Sequence, residues 1–361
     1  MSVKPNDWIR PEIQNLSAYP VPPAEGLIKL DAMENPYTWP DELVDKWLLR
    51  LKTTSVNRYP DPAGTQLCNR LRETMRIPQG QGVLLGNGSD ELIQIIAMAV
   101  SGAGRVVMAP QPSFVMYQMI AKFVGMQFVS VPLRAKDFSL DMEVMLAAIE
   151  EQTPAVIFLA YPNNPTGNHW QRNDIEKIIR FAPGLVVVDE AYAPFAADSF
   201  MSDLGRYPNL LVMRTLSKLG LAGLRLGYLC GPRDWLAEFD KLRLPYNINT
   251  LTQGSADLAL AHAGIFQKQA EAIKLGRKQL LAELQTLPGV EVFPSDANFF
   301  LFRVPAGEAC PIHQALMHQG VLIKLLSGND PMLEDCLRVT VGTALENQAF
   351  IRALREILSD K

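Results

Sequence analysis

The sequence predicts an α/β protein with a mostly parallel sheet in a large domain, followed by a smaller α+β domain. Three observations carry this prediction. Short apolar runs alternate with longer amphipathic ones from Val83 onward; the runs after residue 284 are short and strand-like with little helix between them; and polar clusters recur where apolar runs stop. The 361 residues suggest about two domains at the usual ~100–200 residues each. The division reads as an N-terminal arm over 1–33, a large domain over 34–255 and a small C-terminal domain with its linking helix over 256–361.

Each element follows from local chemistry. Pro5, Pro11, Pro20, Pro22 and Pro23 block regular hydrogen bonding, so the start reads as an extended arm that must lie on another surface, often that of a partner subunit. Next come VLLG and the amphipathic SDELIQIIAMAV, RVVMAP and SFVMYQMIAKFVG, and AVIFLAYP and QRNDIEKIIRFA, then the strand-like LVVVDEAY, NLLVMRTLS and LRLGYLCG. Such alternation is the pattern of parallel strands joined by crossover helices. One long helical pattern spans about Gln253 to Leu284, and VEVFPS, NFFLFRV, VLIKLL and CLRVTVG supply strands before the closing helix NQAFIRALREIL.

Composition excludes several function classes. Apolar residues make up 48% and charged residues 20%, which fits neither a disordered chain nor a membrane bundle. A formal net charge of −4 lacks the basic surplus that nucleic-acid binding requires. The four cysteines, Cys68, Cys230, Cys310 and Cys336, are too widely spaced for a zinc site or a disulfide scaffold and read as buried thiols in a reducing compartment. The N-terminus carries charges and prolines where a signal peptide needs an apolar stretch, and the run Ala155–Tyr161 is far short of a membrane span, so a cytoplasmic protein is expected.

In open α/β sheets functional groups gather at the carboxyl ends of strands. Four such ends are unusually polar: Gly86–Glu91, Tyr161–Gly167, Asp189–Tyr192 and Arg214–Lys218. The first is not a dinucleotide fingerprint, because Glu91 stands where the third glycine belongs; it is a glycine turn opening a helix that can hold one phosphate, or a plain helix cap at Ser89. Lys218 sits just past a strand, where desolvation lowers an amine's pKa and permits a Schiff base, although most lysines solvate a surface. Asp189 ends LVVVD and needs a cationic or hydrogen-bonding partner, a structural ion pair being the plain account. Arg225 and Arg338 lie in otherwise apolar strand-like runs and suit bidentate capture of an oxyanion. His313 and His318, five apart, do not share a helix face and read as surface residues.

Taken together, Asn164-Pro165-Thr166-Gly167, Asp189-x-x-Tyr192, Ser217-Lys218 and Arg225 resemble the signature of the fold-type I, pyridoxal 5'-phosphate-dependent aminotransferases of class I/II. Within them the resemblance is closest to the histidinol-phosphate branch, through Asn57–Pro60, Gly86–Glu91, Arg214–Lys218, Leu221–Arg225 and Cys336–Thr343. The resemblance implies a transaminase of histidine biosynthesis working on glutamate, 2-oxoglutarate and histidinol phosphate; an aromatic aminotransferase and a threonine-phosphate decarboxylase are the alternatives within the same fold. It implies that Lys218 bonds the coenzyme and shuttles the proton, that Asp189 keeps the ring nitrogen protonated, and that Asn164 and Tyr192 hold the phenolate oxygen. Phe114 stacks on the ring, and Gly88, Ser89, Asp90, Ser217 and Arg225 hold the phosphate. The resemblance also implies that Tyr59 is donated across a homodimer interface. Arg338 takes the substrate oxyanion, Tyr19 of the arm and Asn164 lie near the substrate, and Lys324 stands where a second arginine is common, keeping the charge without the fork.

Overall fold

The structure, a computed structural model, describes residues 3–18, 21–328 and 330–359. The arm is not extended throughout. Pro11, whose fixed φ suits a first helical position, opens the single turn α1 (Pro11–Gln14), and Arg10 donates to the Phe123 carbonyl at 2.5 Å, laying this stretch on the body of its own chain. Strand β1 (Ile28–Lys29) then pairs in parallel with residues 321–322, far down the chain. Helices α2 (Asp41–Lys52) and α3 (Thr65–Thr74) lead into the main sheet.

That sheet comprises β2 (Gly82–Asn87), β3 (Val106–Gln111), β4 (Gln127–Pro132), β5 (Val156–Ala160), β6 (Leu185–Asp189), β7 (Leu210–Thr215) and β8 (Leu226–Gly231), in the spatial order β2-β8-β7-β6-β5-β3-β4. From β3 to β7 the pairing is parallel, as expected, and β8 alone runs against both its neighbours. The cause is connection length. Parallel neighbours need a crossover, as α5 (Met116–Phe123) gives β3 and β4 and α7 (Arg172–Phe181) gives β5 and β6, with α4 (Ser89–Val100) and α6 (Met142–Gln152) linking strands that are not adjacent, whereas residues 216–225 join β7 to β8 too tightly for anything but a reversal. Helix α8 (Arg233–Asp240) follows β8.

Side chains alternate across the sheet with period two, and so do the two cores on its faces. In β6, Leu185 and Val187 join Leu92, Ile93 and Phe158 on one side; Val186 and Val188 join Ile157, Leu159 and Tyr228 on the other. Burying each such side chain stabilises the fold by roughly 1.5–3 kcal/mol.

The expected single helix after residue 253 is two helices, α9 (Thr250–Ala261) and α10 (Ala263–Leu284), broken at His262, whose φ of −113° and ψ of 32° leave the helical region. Helical periodicity in side chains persists on both sides of such a break, so the pattern does not reveal it. Beyond α10 lie β9 (Glu291–Val292), β10 (Phe299–Arg303), α11 (Ala309–His318), β11 (Val321–Leu322), which is the partner of β1, then β12 (Lys324–Leu325), β13 (Cys336–Thr340) and α12 (Ala344–Ser359). A four-stranded antiparallel sheet, β12-β13-β10-β9, forms here around Phe299, Phe300, Phe302 and Phe350, a core that also takes in Leu30 and Tyr192. Cys230 and Cys336 are buried as expected, but Cys68 is half-buried and Cys310, on the solvent side of α11, is exposed. Among the described residues no helix is long and apolar enough to cross a membrane.

Gly227 of β8 lies against the turn that opens α4: a Cβ there would stand 2.6 Å from backbone atoms of Gly88 and Ser89, whereas one at Gly223 would meet nothing within 4 Å. Gly227→Ala should therefore cost about 1–3 kcal/mol in denaturant unfolding, while Gly223→Ala should stay within about 0.5 kcal/mol of the parent. Equal stabilities would remove this close approach as a constraint on the fold.

Candidate active site

Sheet register assembles the site. Ala160, Asp189 and Met213 are cross-strand partners at the same edge, so the segments that follow β5, β6 and β7 leave the sheet side by side, carrying Asn164, Tyr192 and Lys218. Asn87 pairs with Leu226 on the adjacent strands, which brings the start of α4 beside Arg225. One hollow at this edge is lined by Ser89, Asp90, Phe114, Asn164, Asp189, Tyr192, Ser217, Lys218 and Arg225, together with Met33, Ala191 and Thr215. A larger trough of about 1030 Å³ runs along α12, lined by residues such as Gln279, Glu283, Arg352 and Arg355; its Glu283 is exposed and paired with Arg355, whereas the smaller hollow gathers a lysine and a buried carboxylate, so the smaller hollow is the candidate site.

Asp189 is buried, and burial pushes its carboxyl up to about 6. Two donors oppose that rise: the Tyr117 hydroxyl donates to Oδ2 at 2.7 Å, and the Ala191 N–H donates to Oδ1 at 3.1 Å. The ion pair at this strand end belongs instead to Glu190, which accepts from Arg214 Nε and Nη2 at 2.9 and 2.7 Å. Lys218 donates from Nζ to the Ala32 carbonyl at 2.9 Å, and burial, with Arg338 second, lowers its ammonium to about 8.

The glycine turn opens a helix, the arrangement that can hold an anion. Gly88, at φ 81°, precedes the first turn of α4, so Ser89 is the first helical residue and not the cap. Glu91, the residue that spoils the dinucleotide fingerprint, accepts from the Asn87 N–H at 2.6 Å and from Asn247 Nδ2 at 2.7 Å, fixing the turn. Arg225 is not in the strand. It holds a left-handed turn (φ 48°, ψ 49°) just before β8, because the helical turn over Ala222–Leu224 must reverse there, and its guanidinium reaches Asp90 at 3.2 Å beside Gly88. Ser217 is buried and accepts from Thr215 Oγ1 at 2.9 Å.

Arg338 does lie on a strand, β13. It is buried, donates through Nη1 to Asn164 Oδ1 and through Nη2 to the Asp31 carbonyl at 2.9 Å, and its guanidinium lies 5.4 Å from the Phe299 ring centre. Tyr192 meets the same ring edge-on at 5.1 Å, and Phe114 meets Tyr117 edge-on at 5.5 Å. Lys324 is the cross-strand partner of Arg338, and burial next to this second cation lowers its ammonium. Tyr59 is not at the hollow of its own chain: it is 80% exposed and stacked on Tyr246 at 4.4 Å. Tyr19 lies outside the described residues. Tyr117 and the segment Asp31–Met33 were not expected at the site. An amphipathic helical run hides a tyrosine's hydroxyl among apolar neighbours, and the carbonyls of Asp31 and Ala32 carry no side-chain signal.

The depressed Lys218 value is a statement about stability. Below about pH 8 both folded and unfolded chains carry the proton and the buried charge costs its full amount; between about 8 and the ordinary 10.5 the unfolded chain holds more protons, so stability rises with pH. Lys218→Met should therefore raise the unfolding free energy of the ligand-free protein by about 2–3 kcal/mol at pH 7, with the gain shrinking above pH 8. Equal stability of the two proteins at pH 7 would show that the amine is not desolvated.

The profile of the family described as aminotransferase class I and II matches residues 25–354. Histidinol-phosphate aminotransferase 2 of Nitrosococcus oceani is 58% identical over 348 residues, 96% of each chain. Histidinol-phosphate aminotransferase of Chromobacterium violaceum is 50% identical over 355 residues, 98% of this chain and 99% of that one. The solved structure of histidinol-phosphate aminotransferase from Sinorhizobium meliloti in complex with pyridoxal-5'-phosphate matches with a TM-score of 0.85 at 25% identity, covering 98% of both chains. With a half-buried lysine and a buried carboxylate at one sheet edge, and likeness running from the arm to the last helix, the chain belongs to the class I and II aminotransferases of fold-type I.

Proposed function

We propose that this chain transfers the amino group of L-glutamate to imidazole-acetol phosphate, giving L-histidinol phosphate and 2-oxoglutarate, in L-histidine biosynthesis, with pyridoxal 5'-phosphate as coenzyme. The carrying observation is the 58% identity, over 96% of the chain, to a protein of that name. The hollow fits the coenzyme. It offers an amine of lowered basicity for a carbonyl, a buried carboxylate for a ring nitrogen, and, for a phosphate, the start of α4 with a guanidinium packed beside it, since a Cβ at Gly88 would stand 2.6 Å from Arg225 Nη2.

When bound, the coenzyme supplies an electron sink for the carbon that bears the amino group. Lys218 Nζ holds the coenzyme and afterwards moves the proton at the substrate's α-carbon. Asp189 holds the ring-nitrogen proton. Asn164 and Tyr192 hold the phenolate oxygen, and Phe114 covers the ring. Gly88, Ser89, Asp90, Ser217 and Arg225 bind the phosphate. Arg338 binds the α-carboxylate of glutamate and, in the other half of the cycle, the phosphate of histidinol phosphate, since one fork serves both oxyanions; Lys324 adds a second positive charge beside it.

The working unit in this reading is a cytoplasmic homodimer, each chain comprising the arm to 33, the large domain to 255 and the small domain beyond. Tyr59, which does not line its own hollow, serves the partner's phosphate.

Purified protein supplied with the coenzyme should turn over histidinol phosphate with 2-oxoglutarate. Turnover of phenylalanine or tyrosine alone would reassign it to aromatic substrates, and release of carbon dioxide from threonine phosphate would make it a decarboxylase. Arg338→Lys should raise KM for both glutamate and histidinol phosphate about 10–100-fold, as expected for losing a bidentate charged contact. Mixing inactive Lys218→Ala with inactive Tyr59→Ala subunits should restore activity, because the hybrid has one site with both groups intact; no recovery after subunit exchange would place Tyr59 elsewhere.

A further inference from the structure

We propose that Tyr117 is a positioning residue for the coenzyme's ring nitrogen, acting through Asp189; the inference rests on the coenzyme reading above. Tyr117 is fully buried on α5, stacked on Phe158 at 4.9 Å with 9° between the planes, and edge-on to Phe114. Phenylalanine would satisfy this packing equally well. What the tyrosine adds is one hydroxyl, spent on Asp189 Oδ2 at 2.7 Å. Asp189 Oδ1 is held by the Ala191 N–H, so two donors on two different oxygens fix both the plane of the carboxyl group and its ionised form.

The hydroxyl matters because the other influences run against ionisation. Asp90 from α4 and Glu190 from the adjoining position both disfavour a second negative charge here, and burial disfavours it more. The same burial, with Asp189 itself, holds the Tyr117 hydroxyl well above its usual range, so it stays the donor; Tyr192 and Asp90 push in the same direction. Without this donor only a backbone N–H sustains the anion. A proton shared between carboxyl and ring nitrogen then rests on oxygen, and the nitrogen loses the charge that makes the ring an electron sink.

The test measures binding by coenzyme-free protein, using pyridoxal 5'-phosphate and its 1-deaza analogue, in which CH replaces the ring nitrogen. Tyr117→Phe should weaken pyridoxal 5'-phosphate binding about 10–100-fold, the range for one hydrogen bond to a charged group, and leave the deaza analogue within about threefold. The loss should vanish in an Asp189→Asn background. Phe158→Leu, a packing control, should lower the unfolding temperature without changing the ratio of the two affinities. Equal loss for both compounds would make Tyr117 a packing residue and overturn the proposal, as would no loss for either. Should Tyr117→Phe fail to fold, 3-fluorotyrosine at position 117, an isosteric and stronger donor, should tighten pyridoxal 5'-phosphate binding selectively; unchanged selectivity would overturn the proposal. A parent protein that takes up no pyridoxal 5'-phosphate would sink the coenzyme reading itself.

Discussion

An amine and a carboxylate kept out of water in one hollow, each satisfied by neutral partners, form the constraint on which the rest of this site depends. At a separation of 4 Å and an effective dielectric of about 20, an ion pair between them would be worth ~4 kcal/mol and would neutralise both. Lys218 instead donates to the Ala32 carbonyl, and Asp189 accepts from a phenol and a backbone N–H. Two pairs of surrounding charges are matched with each other, Glu190 with Arg214 and Asp90 with Arg225. Burial is thus the largest influence on each reactive group, and it moves both towards neutrality: the amine down, the acid up.

Neutral partners have to come from somewhere, and they come from distant parts of the chain. Ala32 belongs to a segment that is itself pinned by the second sheet: Thr340 N–H donates to the Leu30 carbonyl at 2.8 Å, Asn298 Nδ2 to the Met33 carbonyl at 3.0 Å, and Arg338 to Asp31. The wall behind Lys218 is therefore built by residues some three hundred positions away, and Tyr192 carries the large sheet's turn into the small sheet's core. Any shift of β13 against β7 alters what the Lys218 amine meets. Coupling of this sort makes the two sheets one site, although each has its own core.

Legibility in the sequence followed the same division. The sheet was readable because β6 and its neighbours alternate apolar faces, and the site was readable wherever a polar cluster ended a strand: Asn164, Asp189 to Tyr192, Ser217 and Lys218. What could not be read was whatever depends on backbone direction or on one atom among apolar neighbours. The break at His262 leaves helical periodicity intact on both sides. Arg225 sits in an apolar run that looks like strand, yet the turn before β8 gives it a positive φ. Tyr117 occupies an apolar position in an amphipathic helix, and its role rests on a single oxygen. The exposure of Cys310 turns on which side of α11 faces solvent, a tertiary matter.

One contact joins Arg338, proposed above to bind the substrate, to Asn164, proposed to hold the coenzyme. Arg338 donates to Asn164 Oδ1, which fixes the amide so that its NH2 end is the donor left over, and a donor is what an anionic oxygen in the hollow requires. The guanidinium also donates to the carbonyl of Asp31. Both of these acceptors are neutral, and a carboxylate or phosphate forms hydrogen bonds roughly twice as strong, so in the proposed cycle an incoming oxyanion competes with them for the fork. In the proposed cycle the amide of Asn164 and the segment that backs Lys218 are thereby the groups that register a substrate at Arg338. Recognition and chemistry are joined through hydrogen bonds that the ligand-free chain already makes, and Lys324, a point charge without a fork, can strengthen the local field but cannot replace this geometry.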